Sequence, residues 1–146
     1  MNDVVVIGSD ESHPVFDTIA EELEAHGHRV ERMPIGVWGP CARAVAERVA
    51  RGDAAFGVVC CWTGTGVSIA ANKVSGVRAA LCVDAATAEG ARRWNDANVL
   101  AISLRLTSAA VAKEIVAAWV RAPYGGSEAE SLRCLAELDA GARFDG

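Results

Sequence analysis

The chain has 146 residues, a mass of 15.2 kDa and a formal net charge of −5, with 51% hydrophobic and 23% charged residues. These proportions are those of a globular protein and exclude disorder over most of the length. The acidic balance excludes nucleic acid as a partner, and no apolar run reaches the roughly 18 residues that a membrane span needs. We therefore expect one domain over residues 1–146, with a loose tail from about residue 141.

Apolar runs alternate with helical patterns along the whole chain. The predicted strands cover residues 3–7, 29–33, 55–61, 77–83 and 98–102. The predicted helices run from Pro14 to a stop at Gly27, over 40–51, from the turn at 63–66 to residue 73, over 85–94, from a cap at Ser108 to just before Pro123, and from Ser127 onward. Strands that alternate with helices predict an α/β fold with a parallel sheet covered on both faces.

The two ends of the chain carry further signals. Residues 1–8 lead directly into a strand and lack a basic segment, so we expect no secretory signal peptide. The five cysteines are odd in number and lack C-x-x-C spacing, which predicts reduced thiols in a cytoplasmic protein. His13 precedes Pro14 and is expected to cap the first helix. Ser127 and Glu130 form the pattern of a capping box for the last helix, which carries a stripe of leucines.

The most informative segment is the run CCWTGTGVSIAANK at residues 60–73, which joins a buried strand to a short helix. Gly64 and Gly66 allow backbone amides to crowd together, and the first turn of a helix offers further unpaired N–H groups. Such a turn forms a site for an anion, and a thiol beside an anion site ionises readily. Cys61, at the end of the strand, is therefore a candidate reactive thiol.

The residues alone leave three interpretations of this loop open. The first is a buried core cysteine beside a tight turn. The second is a dinucleotide fingerprint, in which Asp84 follows Gly64 by twenty residues, although Ile69 occupies the third glycine position. The third is a catalytic thiol that faces an anion hole.

Four segments carry a resemblance to a known family. They are the runs CWTGTGVSIAANK at 61–73, GVRAALC at 76–82 and NDANVLA at 95–101, and the opening Gly8-x-Asp10. Together they resemble the ribose-5-phosphate isomerase B and galactose-6-phosphate isomerase family, over residues 3 to 140. The resemblance implies a Rossmann-like three-layer α/β/α sandwich whose five parallel strands are ordered 2-1-3-5-4.

The resemblance also implies an activity and an assembly. Members of the family interconvert aldoses and ketoses through a cis-enediolate, with neither a metal nor a cofactor, and form dimers or tetramers with active sites between subunits. By resemblance, Cys61 is the base that moves the proton and Thr63 is its catalytic partner. The residues matched to substrate binding are Asp10, Gly64, Thr65, Gly66, Ser68 and Asn95.

The chain departs from the family pattern at four places. Glu11 stands where a histidine usually follows the first aspartate, and Trp94 replaces the histidine that helps to open the sugar ring. At the start of the last helix, only Arg133 remains of two phosphate-binding arginines, beside Glu128 and Glu130. Trp62 replaces a glycine in the catalytic loop. We treat Glu11, Trp94 and Arg133 as candidate substrate-binding residues.

These observations predict a metal-independent aldose–ketose isomerase that acts on a sugar or sugar phosphate, with its substrate choice shifted away from ribose 5-phosphate. The expected partners are the small-molecule sugar and further copies of the chain. The alternative is a non-catalytic or partner subunit that binds a sugar within a heteromeric isomerase. A nucleotide-binding module is the remaining rival.

Overall fold

The computed structural model describes residues 2–141, which form one five-stranded sheet and six helices. The strands are β1 (Val4–Ser9), β2 (Arg29–Arg32), β3 (Phe56–Cys61), β4 (Ala79–Leu81) and β5 (Val99–Ser103). The helices are α1 (Pro14–Ala25), α2 (Trp38–Ala50), α3 (Thr65–Asn72), α4 (Ala85–Asn95), α5 (Ala109–Arg121) and α6 (Ala129–Asp139). All paired strands are parallel, in the order β2-β1-β3-β5-β4, which confirms the expected order.

Alternate residues of the central strands face opposite sides of the sheet and build two separate cores. Val58 and Leu100 belong to a core shared with the buried faces of α1, α4 and α5. Val59, Cys61 and Ala101 belong to a second core, shared with α2 and α3. The sheet is therefore covered on both sides, and the predicted three-layer α/β/α sandwich is confirmed.

The two edge strands are the least regular parts of the sheet. β2 is polar, as predicted for an edge, and only Val30 is partly buried against the core. β4 has three residues, which makes it shorter than the predicted strand over 77–83. The amide of Val77 bonds to the carbonyl of Val74, and the amide of Arg78 bonds to Asn98 Oδ1. These contacts satisfy the backbone before the ladder to β5 begins.

Local chemistry explains where the first two helices begin. The ring nitrogen Nδ1 of His13 accepts a hydrogen bond of 3.1 Å from the amide of Val15, so the predicted cap is confirmed. α2 begins at Trp38, two residues earlier than predicted. Pro40 is the third residue of this helix, where its missing amide costs nothing because first-turn amides have no helical acceptor.

The start of α6 differs from the prediction. The predicted capping box at Ser127 and Glu130 is wrong, because Glu128 is the N-cap residue and makes no capping hydrogen bond with its side chain. The serine therefore lies one residue too early to reach the amide three positions beyond the N-cap. Residues 142–146, most of the expected loose tail, lie outside the described residues.

α6 lies outside the two cores. In this helix, which is described in full, no residue is buried, and the side chains of Leu135 and Leu138 remain 41% and 43% exposed. Asp139 Oδ2 accepts a hydrogen bond of 2.9 Å from the amide of Gly76. Over residues 2–141, no helix has the length and apolar character that a membrane crossing requires.

Candidate active site

The carboxyl ends of β1 and β3 lie side by side, and the loops that follow them enclose a cavity of about 260 Å³. Ligands of parallel α/β sheets bind at this edge. The cavity is lined by Asp10, Trp38, Cys61, Trp62, Thr63, Thr65 and Gly66. Five of these seven are predicted site residues, Trp62 is a departure from the family pattern, and Trp38 is not predicted by the sequence.

The turn at Gly64 determines the shape of this cavity. Gly64 has a φ of +76°, a left-handed conformation that favours glycine. A Cβ atom at this position would lie 2.6 Å from Leu81 Cδ1 and 2.9 Å from the amide nitrogen of Ser103. In the resulting turn, the amide of Gly64 donates a hydrogen bond of 3.2 Å to Cys61 Sγ. The turn therefore directs a backbone donor at the thiol.

The first turn of α3 supplies the other donors of the loop. The amide of Ser68 bonds to the carbonyl of Gly64 at 3.3 Å, so it belongs to the helix and is not free for a ligand. The amides of Thr65, Gly66 and Val67 have no acceptor among residues 2–141. The expected anion hole comprises the amides from Gly64 to Ser68. The Gly64 amide donates to Cys61 Sγ and the Ser68 amide to Gly64, so the three amides between them form the hole. The hydroxyls of Thr63 and Thr65 lie 2.8 Å apart and form a hydrogen bond beside them.

Two carboxylates follow β1, and one of them, Asp10, lines the same cavity. Asp10 Oδ1 and Glu11 Oε1 are buried and have no hydrogen-bond partner among the described residues. Burial, and secondarily the charge of Glu11, raises the pKa of the Asp10 carboxyl above its ordinary value. Ser9 holds this loop, because its hydroxyl donates a hydrogen bond of 2.7 Å to the carbonyl of Glu11. These two oxygens are therefore buried acceptors that no described residue uses.

The neighbouring cysteines differ from Cys61 in their surroundings. Cys60 lies in the opposite core, where burial raises the pKa of its thiol. Burial also raises the pKa of the Cys41 thiol, and the charge of Asp10 adds to that shift. Cys61 is only 5% exposed, yet it lines the cavity, and its Sγ accepts a hydrogen bond from the Gly64 amide. All five cysteines are free, and Cys61 is the one that borders the cavity.

The geometry does not favour a dinucleotide site. A carboxylate oxygen of Asp84 accepts a hydrogen bond of 2.7 Å from the amide of Thr87, so this residue caps α4. Hydrogen bonding by Thr87, first through its side chain and then through its amide, lowers the pKa of the Asp84 carboxyl. Ile69 projects from α3 and is exposed, and the helix has only eight residues. Asp84, which would bind a ribose in a dinucleotide site, instead caps α4. Ile69 stands where the third glycine of the fingerprint would lie.

Three of the candidate substrate-binding residues lie elsewhere in the chain. α4 begins near the carboxyl ends of the strands and returns to their amino ends, where Trp94 and Asn95 lie. They line a separate cavity, in which the indole of Trp94 covers Gly90. Arg133 is exposed on α6. One chain therefore does not bring these residues together with Cys61, and their roles stay predictions.

Trp38 is the cavity residue that sequence reasoning missed. It follows the edge strand β2 through a loop whose path cannot be predicted from the local sequence. The one feature of the sequence that could have indicated a site residue here is an aromatic side chain shortly before Pro40. As to metals, residues 2–141 hold no group of three or more His, Cys, Asp or Glu side chains that would bind one.

The role of the turn can be tested by adding one methyl group. We expect Gly64→Ala to lower the free energy of unfolding by about 2–5 kcal/mol, because it combines a left-handed alanine with contacts below 3 Å. Gly76→Ala is the matched control: its φ is +86°, but an added Cβ would meet nothing within 4 Å. Urea unfolding followed by tryptophan fluorescence measures both. Equal losses in the two variants would contradict the packing constraint at Gly64.

Comparison with known proteins agrees with this geometry. Residues 5–135 match the model of the Ribose/Galactose Isomerase family. The chain is 40% identical over 131 residues to ribose-5-phosphate isomerase B of Escherichia coli, covering 83% of this chain and 88% of that protein. It is 35% identical over 129 residues to D-erythrulose-4-phosphate isomerase of Pectobacterium atrosepticum, covering 84% and 85%.

A solved structure shows the same similarity in three dimensions. Ribose-5-phosphate isomerase B of Clostridium thermocellum superposes with a TM-score of 0.89 at 35% sequence identity, over 94% of this chain and 97% of that one. The sheet order, the glycine loop and the family match all lead to one assignment. The chain belongs to the ribose/galactose isomerase family, whose members include sugar-phosphate isomerases.

Proposed function

We propose that this protein is an aldose–ketose isomerase in which the Cys61 thiol moves a proton between C1 and C2 of a sugar or sugar phosphate. One arrangement carries the proposal. At the wall of a cavity, Cys61 Sγ accepts a hydrogen bond from the Gly64 amide, and the three first-turn amides beside it have no acceptor among residues 2–141. A base and a set of fixed donors are the two elements that proton abstraction next to a carbonyl requires.

The reaction follows from this arrangement. Starting from an aldose, the ionised thiol takes the proton from C2, and the electrons of that bond form a C1–C2 double bond while the C1 carbonyl oxygen becomes an oxyanion. The hydroxyl proton on C2 passes to the C1 oxygen, and we propose that Thr63, which lines the cavity together with Cys61, relays it. The thiol then returns its proton to C1, which leaves a ketone at C2. No atom is lost or gained.

The loop amides stabilise the oxyanion at the point where its charge develops. Each well-placed donor of this kind contributes about 3 kcal/mol to lowering the barrier. The amides of Thr65, Gly66 and Val67 are held by the helix and do not need to reorganise. Asp10 lines the cavity, and its carboxylate is suited to bind sugar hydroxyls and so to orient the carbon chain over the thiol.

The role of Cys61 can be tested against its neighbour in the chain. We expect Cys61→Ser to keep the fold and lower kcat by about a thousandfold or more, because an alcohol is a far weaker acid than a thiol. Cys60→Ala is the control, since this residue lies in the opposite core and does not line the cavity. If Cys61→Ser retained the wild-type rate, the base would be another residue, and Glu11 would be the first candidate.

The substrate choice is proposed to differ from that of relatives named for ribose 5-phosphate. The cavity residues of the described chain include one acid, Asp10, and no Lys, Arg or His. The Arg92 guanidinium is occupied, because it bonds to the carbonyl of Ala97 and stacks on Trp119. Arg133 lies among acidic neighbours, Glu128 and Glu130. A phosphate dianion prefers paired cationic partners, which this cavity lacks.

We expect ribose 5-phosphate to be a poor substrate. Two lost charge-assisted contacts, at about 1.5–3 kcal/mol each, reduce affinity by roughly a hundredfold or more. Steady-state kinetics with ribose 5-phosphate tests this directly. A kcat/KM above about 10⁴ M⁻¹s⁻¹ would show that the phosphate site has only moved. In that case Arg105, whose amide bonds to the carbonyl of Trp62, is the first residue to examine.

We also propose that a second copy of the chain completes the site. Trp94 and Asn95 lie at the opposite end of the sheet from Cys61, and α6 leaves Leu135 and Leu138 half-exposed. An apolar helix face of this kind is suited to pack on a partner. Solution scattering at micromolar concentration should give a mass of at least twice 15.2 kDa. A monomeric mass with full activity would contradict this proposal.

The same division of the site supports the alternative function. A chain that holds the thiol loop at one end and Trp94 and Asn95 at the other suits a subunit of a heteromeric isomerase. The purified chain distinguishes the two: a homomeric enzyme turns over sugar by itself, whereas a partner subunit binds sugar without turnover.

A further inference from the structure

The indole of Trp38 lies directly on the catalytic loop. A Cβ added to Gly66 would be 3.0 Å from Trp38 Cε3, 3.1 Å from Cδ2 and 3.3 Å from Cζ3. The six-membered ring of the indole therefore packs against the α-carbon of Gly66, whose amide is one of the three without an acceptor. Trp38 is the first residue of α2, so it joins a second helix to the loop that carries the donors.

Trp38 also borders the cavity. Its side chain is 46% exposed, although one part of the ring is covered by Gly66, and it lines the cavity together with Cys61. Trp62 lines the same cavity and is 52% exposed. Two half-exposed indoles thus border a space of about 260 Å³, slightly below the 300–1,000 Å³ of typical drug-sized ligand sites. A space of this volume suits a small molecule.

The electrostatics of this lining select an uncharged group. The face of an aromatic ring carries the negative part of its quadrupole, which repels an anion and attracts polarised C–H groups. Asp10, the one charged residue of the lining, adds further negative charge when it is ionised. A carbon chain with C–H groups on one side and hydroxyl donors on the other fits the indoles and the Asp10 carboxylate that line this cavity.

We propose that Trp38 is a specificity-determining residue, whose indole forms with Trp62 the wall that binds the uncharged carbon chain of the sugar. This inference rests on the proposed isomerase function and specifies which part of the substrate lies in the cavity. A phosphate group, in a substrate that has one, lies outside this cavity.

The test measures sugar binding in a background without catalysis. The probes are two matched pairs, D-ribose with D-ribose 5-phosphate and D-erythrose with D-erythrose 4-phosphate, titrated by calorimetry into Cys61→Ser. Each titration is repeated after adding Trp38→Ala, Trp38→Phe or Val37→Ala. Val37 is the matched control, because it precedes Trp38, is exposed and apolar, and does not line the cavity.

We expect Trp38→Ala to raise the Kd of both members of a pair by about tenfold, because both place the same carbon chain against the wall. Trp38→Phe keeps an aromatic ring on Gly66 and should raise Kd by about threefold, so it remains informative if the alanine variant does not fold. Val37→Ala should change Kd by less than about twofold. Solution scattering should give the same mass for all variants.

Four results would overturn the proposal. One is an effect of Trp38→Ala on the phosphorylated sugars alone, which would place the phosphate at the indole. Another is an equal effect of Val37→Ala, and the third is a lower mass, which would make Trp38 an interface residue. Binding of none of the four sugars would also overturn it. The proposed function fails by a different result, the retention of turnover in Cys61→Ser, so the two failures are distinguishable.

Discussion

The hydrogen bond from the Gly64 amide to Cys61 Sγ depends on a backbone conformation that a side chain would prevent. Because Gly64 is left-handed and packed against Leu81 and Ser103, the chain turns within three residues from the end of β3 into α3. That turn directs one amide at the thiol and leaves the next three without acceptors in the described part of the chain. The chemistry proposed for the site therefore depends on one closely packed glycine.

Much of the fold could be predicted because the relevant forces are local or patterned. Strands such as β1 and β3 are buried throughout and largely apolar, as strands covered on both faces are, and helix starts such as that of α1 carry their own capping residue. The glycine loop was predictable for the same reason, since two glycines between a strand and a helix have few other uses. The strand order came from the family resemblance.

What could not be predicted depends on contacts between distant segments. The length of β4 is set by Asn98, which satisfies the amide of Arg78 from twenty residues away. The capping box failed by one residue, because the geometry of the preceding turn decides where α6 starts. Trp38 reaches the site from the loop after an edge strand, and only the fold shows that its ring covers Gly66.

In the proposed mechanism, the site separates proton transfer from substrate recognition. The first uses backbone amides, one thiol and a threonine, which are insensitive to what lies at the far end of the sugar. The second uses the indoles and carboxylates around them, together with residues such as Asn95 that a second copy would supply. This division is compatible with relatives of similar identity being named for a ribose phosphate and an erythrulose phosphate.

Proton transfer by the Cys61 thiol is tested most directly by following the transferred hydrogen. Isomerisation is carried out in D2O with the sugar that turns over fastest, and the product is examined by NMR. The account predicts that solvent deuterium enters at C1 of the ketose, because the Cys61 thiol exchanges with water while it holds the proton, and that Cys61→Ser shows no such incorporation. A product that forms at the full rate without any deuterium, or equal incorporation by Cys61→Ser, would contradict proton transfer by this thiol.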